Sequence, residues 1–206
     1  MSRDASPPFG RGEYEETSGV FDYLVGKEYV FEDLDYSAAS TNVGAKPARS
    51  GKSVTVRLVK NNSGGVLLPK RLVQFSTTAG PDQNGAVVTG YTTTTAARGF
   101  PVDEFVPSGG VPNGAYFYVV VRGPAKVLTD IAAVEGNVIA VGDPVVALTA
   151  ATSGATTAGR VSMQSITGTT ATALINQIQN LVGRALTAST SGYTNSDLLV
   201  EVGRIA

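Results

Sequence analysis

Ser50-Gly51-Lys52-Ser53 is the stretch that most invites a chemical reading, that of a phosphate loop. Such a loop needs a glycine five positions before Gly51 and a helix N-terminus after the Lys-Ser pair, so that backbone N–H groups point at phosphate. Position 46 is Lys46, and the residues that follow, Val54-Thr55-Val56-Arg57-Leu58, alternate apolar and polar as a strand does. Two acidic groups, Glu13, Glu15 and Glu16 and then Glu32, Asp33 and Asp35, have the residue type for general acid–base pairs. They lie in the N-terminal segment rather than at the ends of core strands, so they read as a solvated or docking face. Asp82-Gln83-Asn84 offers oxygens without the ligand loop of a calcium site, and reads as a turn. Asn61-Asn62-Ser63 has the glycosylation spacing and also reads as a turn. No G-x-S-x-G nucleophile elbow occurs.

The missing residue types narrow the chemistry further. The 206 residues include no His, no Cys and no Trp. Triads that need an imidazole or a thiol, zinc sites built from His and Cys, disulfides and a histidine pH switch are all excluded. The expectation is a non-enzymatic chain with no catalytic, cofactor-binding or metal-binding residues. No apolar run reaches the roughly 18–20 residues of a membrane helix, and the polar start MSRDASPPFG has no signal-like apolar core. A soluble protein made in a cytoplasm is expected.

Charge is unevenly placed. Met1 to Tyr36 carries nine acids (Asp4, Glu13, Glu15, Glu16, Asp22, Glu28, Glu32, Asp33, Asp35) and three bases (Arg3, Arg11, Lys27), although the whole chain is close to neutral at −1. From Ser37 to Pro81 there is no acid, while Lys46, Arg49, Lys52, Arg57, Lys60, Lys70 and Arg71 are present. The division predicted is an acidic arm, residues 1–36, and a β-rich core, residues 37–206. Pro7 and Pro8 keep the arm's start out of a helix. The arm also carries Phe9, Tyr14, Phe21, Tyr23, Tyr29 and Phe31, which a solvating tail would lack. These aromatics need a surface to bury against, either the core of the same chain or a partner. The basic stretch around Lys46, Arg49, Lys52 and Arg57 is the candidate surface that receives the arm, its own or a neighbour's. It lacks the interleaved aromatics of a nucleic-acid module.

Val, Thr, Ala and Gly dominate the composition, which is that of a β protein with many turns. Strands are predicted at Val54–Leu58, Val66–Phe75, Ala86–Tyr91, Tyr116–Val121, Ala125–Thr129, Val138–Val141, Val145–Leu148, Gly159–Met163, Val182–Leu186 and Leu198–Val202. Tyr116–Val121 is the most strand-like and is expected at the centre. One helix over about 170–182 is predicted from the stripe Leu174, Ile175, Ile178, Leu181 and Val182, with Gly183 ending it. The expected fold is mainly β, a compact sandwich or small barrel with that short helix and an extended N-terminal arm.

The second half carries an ordered set of short motifs. Arg122-Gly123-Pro124-Ala125-Lys126-Val127 is followed by Gly136-Asn137-Val138-Ile139-Ala140-Val141-Gly142-Asp143-Pro144-Val145, then Gly159-Arg160-Val161, Leu181-Val182-Gly183-Arg184-Ala185-Leu186 and Leu198-Leu199-Val200-Glu201-Val202. This order resembles the small β-rich capsid decoration, or cement, proteins of tailed bacteriophages, over about eighty residues from Gly123. The resemblance implies a structural virion protein on the capsid exterior, forming a homotrimer and binding the major capsid protein between capsomers. It implies no nucleic acid, membrane, small-molecule substrate or cofactor. On that reading Phe9, Tyr14, Phe21, Tyr23, Tyr29 and Phe31 are the contact residues of the arm. The alternative from another class is a carbohydrate- or receptor-binding β-module of a phage fibre, for which Tyr91, Phe100, Phe105 and Tyr193 are the loop aromatics available.

Overall fold

Tyr116-Phe117-Tyr118-Val119-Val120-Val121 is aromatic and β-branched throughout, the composition of a strand buried on both faces. In a computed structural model of the chain it opens the thirteen-residue strand Tyr116–Leu128. The structure describes residues 6–34, 48–76, 87–90, 99–129, 139–147, 159–163, 180–189 and 197–203. Among the described residues ten strands are formed: β1 (Glu28–Leu34), β2 (Ala48–Asn61), β3 (Leu72–Phe75), β4 (Val87–Gly90), β5 (Phe100–Pro101), β6 (Tyr116–Leu128), β7 (Pro144–Ala147), β8 (Val161–Met163), β9 (Leu181–Ala185) and β10 (Asp197–Val202). A single 3-10 turn, Asp22–Leu24, precedes them.

The fold is mainly β, as the composition predicts. Its form is one largely open sheet, in the order β5-β3-β4-β2-β6-β10-β9-β7-β8, with β1 paired to β2 beside that path. β6 stands at the middle, and its alternate side chains serve two cores. Tyr116, Tyr118 and Val120 join the cluster of Val54, Val56, Leu58, Leu198 and Val200; Phe117 and Val119 join that of Val59, Val73, Val88, Val102 and Val111. Two isolated bridges, Val102↔Val119 and Thr129↔Val161, tie both ends of the path back onto the interior of the sheet.

Ala125–Thr129 is not a separate strand. β6 runs through Gly123 and Pro124 and changes partner there, from β2 (Thr55↔Arg122) to β10 (Gly123↔Val202). Gly123 has φ +95, and a Cβ on it would lie 2.5 Å from the Ser53 carbonyl oxygen, so the crossing admits only glycine. Val66–Phe75 shortens to β3, because Lys70 takes φ 62 and breaks the run. Ile139–Val141 is turn rather than strand: the Asp143 carboxylate accepts from Ala140 N–H at 2.8 Å, and Asp143 N–H donates to the Ala140 carbonyl. The helix expected over 170–182 is corrected at its end. Leu181 and Val182 open β9, which pairs with β7 and β10, and Gly183 lies within that strand. Residues 170–179 lie outside the described residues.

Candidate functional site

The described part of the N-terminal segment is not an extended arm but folds onto the body. Three contacts hold it, and each begins with a residue whose burial needs a specific partner. Phe9 packs against Tyr118 with ring centroids 4.7 Å apart and against Phe21 at 5.7 Å. Phe21 meets Tyr116 edge-on at 6.0 Å. Tyr29 and Phe31, on the inner face of β1, approach Tyr118 at 5.9 and 5.7 Å. Tyr118 is the hub of this group. Burial pushes its phenol well above the ordinary tyrosine value, and its hydroxyl donates to the Phe9 carbonyl at 3.2 Å.

Arg11 is the second contact. Its guanidinium makes two hydrogen bonds to Asp103, at 2.8 and 3.2 Å, and both side chains are fully buried. It also lies over the Phe105 ring, 4.8 Å from the centroid. The third contact is a polar node on Tyr116. Its hydroxyl donates to Asp22 Oδ1 at 2.6 Å and accepts from the Gly19 N–H at 2.7 Å and from Lys60 Nζ at 3.3 Å. The Tyr116 hydrogen bond, with help from Lys60, holds the Asp22 carboxyl below its ordinary value.

The basic stretch meets the acids of its own chain. Asp33 pairs with Arg49 at 2.6 Å, Glu28 with Arg57 at 2.5 Å and Asp22 with Lys60 at 3.3 Å. Arg49 also binds Glu104 at 2.6 Å; burial works against its charge, but the hydrogen bonds to Asp33 and Glu104 outweigh that and raise its pKa. Lys52 pairs with Glu201, and Lys70 with Asp197 at 2.6 Å, so the last strand supplies the remaining acids. Lys46 and Asp35 lie outside the described residues. Ser50-Gly51-Lys52-Ser53 is part of β2, with no helix behind it, which removes the phosphate-loop reading. Asn61 is buried: its amide donates to the carbonyls of Gly65, Val111 and Pro112, and its carbonyl accepts from Ser63 N–H. It braces a turn, as expected.

Among the described residues no group of three or more Asp and Glu is placed to hold a metal ion, and no helix is long and apolar enough to cross a membrane. No family model and no curated protein matches the chain. Among solved structures, the N base of head fibre gp8.5 in bacteriophage phi29 is similar, with a TM-score of 0.38 and 13% identity, over 73% of this chain and 94% of that one. A likeness of that size leaves the function of this chain to its own residues.

Of the six arm aromatics, the structure brings Phe9, Phe21, Tyr29 and Phe31 together on one core and packs Tyr14 against the other. Tyr23 stands apart, 72% exposed. The receiving residues, Tyr116, Tyr118, Asp103 and Glu104, were not singled out from the sequence. The two tyrosines read there only as strand, and an acid pair in a proline-rich loop carries no pattern that marks it as buried. Of the loop aromatics considered for sugar binding, Phe100 packs on Phe75 at 4.7 Å and Phe105 lies under Arg11; Tyr91 and Tyr193 lie outside the described residues.

Proposed function

We propose that this chain is a non-enzymatic structural protein of a tailed-phage virion, which decorates the outer surface of the capsid by binding the major capsid protein between capsomers. The observation that supports it is where the decoration-protein motifs fall. Gly123-Pro124-Ala125 lies in β6, Gly142-Asp143-Pro144 turns into β7, Leu181–Ala185 is β9 and Leu198–Val202 lies in β10. These strands are neighbours, β6-β10-β9-β7, so motifs scattered over eighty residues of sequence form one continuous patch of sheet.

The folded arm refines the reading. Most of its aromatics serve the body, leaving a stiff block with acids and bases largely paired within the chain. A stiff block suits a protein that resists deformation of a shell, because close-packed interiors transmit strain rather than absorb it. Attachment then rests on the exposed surface, and a homotrimer multiplies each weak contact through effective concentration.

The test uses particles of the parent phage produced with this gene deleted, mixed with the purified full-length chain. Saturable binding, together with a trimer by light scattering, is the expected result. Failure to bind such particles, with a positive signal on a glycan array, would favour the receptor-binding module instead. Truncation of residues 1–36 is a poor probe, since it removes β1 and four of the six rings grouped around Tyr118 and is expected to unfold what it is meant to test.

A further inference from the structure

β1 is the strand whose second edge has no partner among the described residues. The two ends of the main path are covered: the chain after β5 bridges to β6 at Val102↔Val119, and β8 is tied by Thr129↔Val161 and by Leu72 N–H to the Gly159 carbonyl. β1 pairs with β2 alone.

The register says which groups that open edge presents. Gly26 N–H donates to the Leu58 carbonyl and Leu58 N–H donates to the Lys27 carbonyl, which makes Lys27–Leu58 a hydrogen-bonded position of the ladder. Hydrogen-bonded positions recur every second residue in an antiparallel pair. Tyr29↔Val56 and Phe31↔Val54 are therefore the bonded pairs, and the N–H and C=O groups of Glu28, Val30 and Glu32 point away from β2. The same three residues place their side chains on the outer face. All three are exposed, Val30 at 65%, while Tyr29 and Asp33 are buried behind them.

The chemistry of the row selects an occupant. An antiparallel second copy of β1 centred on Val30 would set Glu28 against Glu32, and like charges directly opposite are destabilising. Glu28 is already paired with Arg57 of β2, so Glu32 is the acid of the row with no ion-pair partner among the described residues, and the row complements an extended segment with an apolar residue opposite Val30 and a Lys or Arg opposite Glu32. We propose that the open edge of β1 is a strand-addition site, and that it receives such a basic extended segment of the shell protein. Main-chain hydrogen bonds from Glu28, Val30 and Glu32 supply the pairing, and Val30 with Glu32 sets the preference. This inference rests on the capsid reading above.

Three full-length proteins test it against gene-deleted particles: the parent chain, Val30→Pro and Glu32→Lys. Proline at position 30 removes an N–H that β2 does not use, a place where edge strands tolerate it. Glu32→Lys keeps every backbone group and reverses a charge with no ion-pair partner among the described residues. Circular dichroism confirms that each variant is folded. Expected is binding by the parent chain, half-saturation weakened by roughly tenfold or more for Val30→Pro, weaker binding for Glu32→Lys, and slowed exchange of the Glu28, Val30 and Glu32 amides in the bound parent chain. Binding by both folded variants at the parent's affinity, or unchanged exchange at those amides, overturns the strand-addition site and leaves the capsid reading standing. A Val30→Pro chain that does not fold passes the decision to Glu32→Lys and the exchange data. No binding by the parent chain itself overturns both.

Discussion

Asp103 has no exposed surface, and it faces Arg11 across ninety-two residues of sequence. A buried pair of this kind adds little net stability over an apolar one, but removing one partner strands a charge in a dry site. Asp103→Ala is expected to lower unfolding stability in urea by about 3–5 kcal/mol, while the joint change with Arg11→Met recovers much of the loss. A loss in the double variant equal to the sum of the Asp103→Ala and Arg11→Met losses would show that the pair is not coupled. Asp22 is the second residue whose chemistry gives a number to watch. Its carboxyl is held below the ordinary value by the Tyr116 hydroxyl and then by Lys60, so the charged form favours the docked turn. The contribution is complete above the ordinary aspartate value and is lost as pH falls through the lowered one. The protection of the Gly19 amide against exchange, relative to its intrinsic rate at each pH, should fall over that acid window, and Asp22→Asn should abolish that fall.

At the scale of elements, the crossing points of the sheet decide what the sequence can tolerate. A Cβ on Gly183 would overlap the Glu201 carbonyl across the β9–β10 ladder, although its backbone is ordinary strand. Gly183→Ala is expected to cost about 1–3 kcal/mol in thermal or urea unfolding through displacement of β10; an unchanged midpoint would mean the strands part freely. The same glycine shows why part of the fold was legible in sequence and part was not. Period-two runs such as Val54–Leu58 and the apolar run Tyr116–Val121 announce strands because their burial is local to the pattern. Leu181-Val182-Gly183 fits a helical stripe as well as a strand, and only its pairing with β7 and β10 decides. Pairing is a property of distant residues, invisible in a short window. The arm behaves likewise. Its aromatics and the charge split were legible, and so was the need for a surface to cover them. That this surface is Tyr118 of the same chain depends on topology.

Over the whole molecule, β6 belongs to both cores, with Tyr116 and Tyr118 on one side and Phe117 and Val119 on the other. Neither core can form without it, so unfolding followed by tyrosine fluorescence and by far-ultraviolet circular dichroism is expected to give one coincident transition. Two separated transitions would mean the clusters melt independently. Folding is expected to be slow, because β6 must find β2 and β10 far away in sequence before either core closes. With residues 6–34 stowed on the body and the second edge of β1 unpaired among the described residues, the proposed role is to brace a phage shell. Difference imaging by cryo-electron microscopy of particles made with and without this gene tests it most directly. Added density is expected on the outer surface between capsomers, of a size that fits three copies of this sheet. Identical shells in the two preparations, or density confined to a tail or fibre, would contradict it.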